Sequence, residues 1–181
     1  MSITLASILT VIILAAGAAF VYLQKRRTDQ LKARFGPEYD RTVREIGDRP
    51  RAEKALQKRQ ERIEGYKIQP LSADDRDFLA KEWQRTQAMF VDNPAAAVQE
   101  ADRLICEAMR RSGYPMSDFE LRAEDLSVEH PHVVKNYRAA HEIATAEGET
   151  STEDLRQAMV YYHELFDELL ETQPTGSVSR K

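Results

Sequence analysis

The residues of this chain able to do chemistry are few: four histidines, one cysteine and scattered carboxylates. His130 and His132 lie in "EHPH", where Glu129-x-x-His132 echoes the Glu-x-x-His of di-iron bundles. Such sites need that motif twice, on facing helices, with further glutamates. Here it occurs once, across Pro131, and neither His141-Glu142 nor His163-Glu164 supplies a second copy. The spacing therefore assigns no metal ligand, and these read as turn and surface histidines. Cys106 sits beside Ile105 on the apolar side of its helix, which suits a small core residue better than a nucleophile. Asp74, Asp75 and Asp77, and the pair Glu124 and Asp125, read as helix-start and solubility devices. Tyr162 and His163 point to different sides of one helix. There is no Gly-x-Ser-x-Gly, phosphate loop or dinucleotide turn. No catalytic, cofactor-binding or metal residue is assigned, and no cofactor is implied. An enzyme remains the alternative only if a deep polar pocket between helices gathers His132, His141 and nearby carboxylates.

Helices must position these groups. Ser72 caps a segment with Leu79, Trp83, Thr86 and Phe90 in one stripe. Asp92 or Asn93 caps the next, opened by Pro94, with Val98, Ala101, Ile105, Ala108 and Met109 inward. "SDFE" at 117–120 reads as a capping box, followed by Phe119, Ala123 and Leu126. Pro131 opens a helix carrying Val134, Tyr137, His141 and Ala144. "STED" at 151–154 opens the last, with Leu155, Met159, Tyr162, Phe166 and Leu169. No strand-like alternation interrupts this pattern. The fold class is all-α: an N-terminal transmembrane helix, a basic helical neck and a bundle of about five helices. The expected boundaries are an anchor at 1–24, a neck at 25–69, an acidic bundle at 70–172 and a disordered tail at 173–181.

The anchor reading rests on Met1 to Gln24, which carry no charged side chain. Ile3 to Leu23 as a helix spans about 31 Å, matching a hydrocarbon core. A secretory signal wants a basic start, which "MSITLAS" lacks, although "AAGAA" offers a cleavage-like site. A buried core helix is the third reading. Cations follow the run and none precede it, so the positive-inside rule puts the N-terminus across the inner membrane and the bulk in the cytoplasm. Lys25, Arg26, Arg27, Lys32 and Arg34 are the residues expected at the membrane surface, attracted by anionic headgroups. Residues 24–69 hold 14 Lys/Arg and 8 Asp/Glu, net +6, which leaves −10 for the rest of a chain of net charge −4.

In the neck, Gly36-Pro37 and "GDRP" break helices, and Leu56 and Ile63 form a narrow seam suited to a surface helix or a coiled-coil-like contact. Without interleaved aromatics, and with Glu53, Glu61 and Glu64 interspersed, the neck does not read as a nucleic-acid binder. A single cysteine excludes an internal disulfide and fits a reducing compartment.

The blocks "RFGPEYDRTV", "FVDNPAAAVQEAD", "GYPMSDFE", "DLSVEHPHVVKNYR" and "STEDLRQAMVYYHELFDELL" resemble those of an uncharacterised bacterial family of small membrane-anchored helical proteins. The resemblance covers most of residues 34–171 and implies no activity, cofactor or catalytic residue. The function expected from the sequence is a membrane-tethered, non-enzymatic interaction domain with a protein partner, or else an anionic-lipid surface sensor.

Overall fold

The computed structural model describes residues 2–146, 148 and 150–171, without the side chains of 2–7, 9 and 10. All eight described elements are helices: α1 (Ser2–Phe35), α2 (Pro37–Ile46), α3 (Arg49–Glu64), α4 (Ala73–Met89), α5 (Pro94–Arg111), α6 (Phe119–Glu129), α7 (Val134–Ala144) and α8 (Thr152–Glu171). The chain divides into two compact units, Met1–Leu56 and Gln57–Lys181, with the boundary inside α3.

In the first unit, α1 runs unbroken from its apolar stretch into the basic segment, and Gly36-Pro37 ends it. Gly47 then terminates α2 with φ +69°, a left-handed conformation that glycine adopts without a Cβ penalty. Leu31, Phe35, Tyr39, Ala52 and Leu56 are buried. A single carboxylate ties the three helices together: Glu53 Oε1 accepts hydrogen bonds from Thr28 (2.8 Å), Tyr39 (2.8 Å) and Arg49 (3.1 Å).

Among the described residues no helix is long and apolar enough to cross a membrane. The expected span, 3–23, lies partly outside the described side chains, and the expected tail, 173–181, lies wholly outside the described residues.

The second unit packs α8 against α5 and α7, α4 against α5, and α6 against α7. Trp83 of α4 stacks on Phe166 of α8 with ring centroids 4.5 Å apart. Most of each expected stripe is buried: Leu79, Trp83 and Thr86; Val98, Ala101, Ile105, Ala108 and Met109; Ala123 and Leu126; Val134 and Tyr137; Leu155, Met159, Tyr162, Phe166 and Leu169. Phe90, Phe119, His141 and Ala144 are only half-buried. Ser72, Asn93 and Ser151 each accept the amide three residues on, as caps do.

Three local expectations need correction. The cap of α6 is Asp118, which accepts the Leu121 amide at 2.9 Å, so the start lies one residue past Ser117. Helix α7 begins at Val134, because residues 131–133 form a turn after Pro131. The seam of α3 is buried within the chain: Leu56 is 0% exposed in the first unit and Ile63 is 4% exposed in the second.

Candidate functional site

The strongest polar constellation lies where α5, α6, α7 and α8 meet. Asp102 and Cys106 are one turn apart on α5, and Tyr137 and His141 are one turn apart on α7, so each pair shares a face. Tyr162 of α8 donates its hydroxyl to Asp102 Oδ1 at 3.0 Å. His141 Nδ1 lies 3.8 Å from the same oxygen, beyond hydrogen-bond reach. Its ring lies flat on Phe119 of α6, at 3.5 Å between centroids and 8° between planes. The Tyr137 ring also meets Phe119, at 5.0 Å. Arg122 donates through Nη1 to the Ser117 carbonyl at 2.9 Å.

Three buried polar atoms here have no hydrogen-bond partner: Tyr137 Oη, His141 Nδ1 and Arg122 Nε. Arg122 and Cys106 both act on Tyr137 electrostatically. Burial, reinforced by the Asp102 carboxylate, pushes both Tyr137 and Tyr162 well above the ordinary phenol range. Burial, and then Asp102, also raises the Cys106 thiol. Cys106 is therefore held as a thiol, and at neutral pH these two phenols are proton donors or neutral acceptors.

The other histidines do not join this group. His130 is buried, with Nδ1 3.2 Å from Glu168 Oε1. That corrects its reading as a surface histidine. His132 is exposed and does not join His141, so the pocket that would have favoured the enzyme alternative does not gather that pair. His163 pairs with Asp167 of its own helix at 3.0 Å and tilts against Trp83. Among the described residues no group of three or more His, Cys, Asp or Glu is placed to hold a metal ion.

A second buried polar group joins the end of α3 to α6. Arg59 reaches Glu124 at 2.8 Å. Arg62 donates through Nε to Asp125 Oδ1 at 2.6 Å and reaches Glu124 at 3.3 Å. Asp125 is 0% exposed, and burial pushes its carboxyl above the usual range although Arg62 pulls the other way. Read in sequence as a solubility pair, Glu124 and Asp125 are instead the acceptors that fix two neck arginines. Arg59 and Arg62 are thereby both engaged by carboxylates of α6.

The five cations expected at a membrane surface all lie exposed on α1. Lys32 is drawn over the Tyr39 ring, 5.4 Å from its centroid. Lys25 and Arg26 border a hollow on the side of the helix.

Sequence reasoning placed Tyr137, His141 and Tyr162 on core stripes but missed Asp102 and Arg122. The i,i+4 spacing of Asp102 with Cys106 was a visible signal, but which face met which helix was not.

No family model, curated protein or solved structure matches the chain. The fold and the polar cluster define it as an all-α helical protein.

Proposed function

We propose that this protein is a single-pass, membrane-tethered helical domain. Its N-terminus crosses the inner membrane, its second unit lies in the cytoplasm, and it acts by protein contact rather than by catalysis. One observation carries the tether. Ile8, Val11 to Leu14 and Phe20 to Leu23 include large apolar side chains that are 55–67% exposed on one helix, and Lys25, Arg26 and Arg27 follow directly. A row of that kind in water exposes far more contiguous apolar surface than a monomer carries without a use for it. Lipid covers it, and the adjoining cations stop at the headgroups. The five surface cations, Lys25, Arg26, Arg27, Lys32 and Arg34, then face the anionic cytoplasmic leaflet. The resemblance to small bacterial membrane-anchored proteins agrees with this reading.

Topology and anchoring test it together. A C-terminal alkaline phosphatase fusion is expected to be inactive, a C-terminal fluorescent protein bright, and the full chain resistant to alkaline carbonate extraction. An active phosphatase, or recovery of the full chain in the soluble fraction, overturns the reading. The protein-contact part is tested by crosslinking and purification from membranes with the tether intact; no specific partner above a scrambled-surface control counts against it.

A second reading is favoured by Tyr137 Oη and His141 Nδ1, both buried and without partners beside Asp102. It is an enzyme whose site lies between α5, α6, α7 and α8. Binding of small-molecule fragments that perturbs the His141 ring resonances in the wild type, and not in Tyr137→Phe, would support it. A screen that leaves those resonances unmoved removes it.

A further inference from the structure

The tether leaves open which lipids surround it, and the side of α1 just past the apolar run has the makings of a headgroup site. An open hollow of about 530 Å³ is lined by Tyr22, Lys25, Arg26, Asp29, Gln30 and Ala33. These residues follow one another up a single helical face, at about 1.5 Å per residue. The order outward from the lipid is an apolar run, a phenol, two cations and then a carboxylate. Neither Lys25 nor Arg26 forms an ion pair with Asp29 among the described residues, although both lie within one turn of it. Lys32, the next cation along, is turned toward Tyr39 instead.

Resting on the membrane-tethered reading, we propose that this face binds a phospholipid headgroup carrying both a phosphate and a primary ammonium, as in phosphatidylethanolamine. A headgroup presents acyl chain, phosphate and ammonium in the same outward order as the helix presents apolar residues, cations and acid. The phosphate meets Lys25 and Arg26 through charge-assisted hydrogen bonds, with the Tyr22 hydroxyl as a neutral donor. The ammonium, about one helical turn further out, donates to Asp29. The anionic phosphatidylglycerol headgroup satisfies the two cations but offers Asp29 only neutral hydroxyl donors, weaker toward a carboxylate than an ammonium. A choline headgroup has the right charges, yet its methylated nitrogen has no N–H to give. The acid on this face thus selects among lipids that the cations alone would treat alike, which simple attraction to an anionic surface does not predict.

The test is lipid retention by the full chain, purified in mild detergent, with equal amounts of phosphatidylethanolamine, phosphatidylcholine and phosphatidylglycerol, read by native mass spectrometry. The expected result is retention of the ethanolamine lipid over each of the others by about tenfold, the worth of one charge-assisted hydrogen bond. Asp29→Asn is expected to bring ethanolamine and choline lipids level while the helix content by circular dichroism is unchanged. Lys25→Gln with Arg26→Gln is expected to lower retention of all three. Preference for phosphatidylglycerol, equal retention of the three by the wild type, or a preference that survives Asp29→Asn overturns the proposal. Carbonate extraction of the membranes, carried out before detergent is added, separates the two failures: a membrane-resistant chain without lipid preference sinks this inference alone, and an extractable chain sinks the tether and this site together.

Discussion

Glu53 in the first unit and Asp125 in the second are both carboxylates gripped by arginine, yet their pKa values move in opposite directions. Burial acts on each to raise the pKa. Glu53 is 20% exposed, and the hydrogen bonds from Tyr39, Thr28 and Arg49 together outweigh burial and bring it below the usual range. Asp125 is 0% exposed, Arg62 serves one of its oxygens, and Oδ2 has no partner. There burial wins. Three donors on a partly wet carboxylate stabilise its charge more than one arginine does on a dry one.

The pH consequences have opposite signs. The folded pKa of Glu53 is depressed, so its contribution to stability is present above the ordinary carboxylate range and is lost as pH falls through its lowered value. That of Asp125 is raised, so folding pays a penalty once the group ionises, and the penalty is relieved as pH falls toward the ordinary Asp value of about 3.9.

The widest test of the contrast removes the packing of one unit and watches the other. Phe35 is 0% exposed in the first unit, and Phe35→Ala is expected to cost about 3–5 kcal/mol there. Amide exchange across α2 should accelerate accordingly. The single tryptophan, Trp83, reports on the second unit alone, and its fluorescence midpoint in denaturant should not move. A midpoint that shifts in step means the two units share their stability.

A smaller effect is expected from Glu53→Ala, which strands the Thr28 and Tyr39 hydroxyls and should cost about 1–3 kcal/mol at pH 7. Exchange of the α2 amides, followed from pH 7 to below the ordinary carboxylate range and through the lowered value of Glu53, should show the wild type approaching the variant as acid removes the Glu53 charge. A gap that stays constant over that range contradicts the hub. The smallest effect belongs to Asp125→Asn. It keeps an acceptor for Arg62 and removes a charge the fold already disfavours, so Trp83 fluorescence should place it within about 1 kcal/mol of wild type at pH 7. Its stability should also depend less on pH. Destabilisation beyond about 3 kcal/mol would show that the attraction of Arg62 exceeds the cost of burial, and the contrast with Glu53 would vanish.

The helices of both units were legible because their signals are local. Gly36-Pro37 and Gly47 interrupt the chain by backbone geometry, and Ser72, Asn93 and Ser151 satisfy amides only three residues away. Where two cap candidates adjoin, as at Ser117 and Asp118, the competition is decided by fractions of a kcal/mol and the reading slipped by one residue.

The fate of polar residues was not legible. Gly113 shows why at the level of the backbone: a Cβ there would lie 2.7 Å from the Lys67 carbonyl, a neighbour far away in sequence that only the packed chain supplies.

By itself the amino-acid order determined an all-helical chain, the positions of its breaks, the apolar faces of its helices and the run of uncharged residues that precedes three cations. Each of these depends on residues within about two helical turns of one another, where period and capping act. Tertiary structure alone decided that Glu53 gathers three donors, that Asp125 loses its water, and that Asp102 meets Tyr162 60 residues away. A carboxylate's charge is governed by the solvent and donors within a few ångströms of it. Folding, not spacing along the chain, brings those neighbours together.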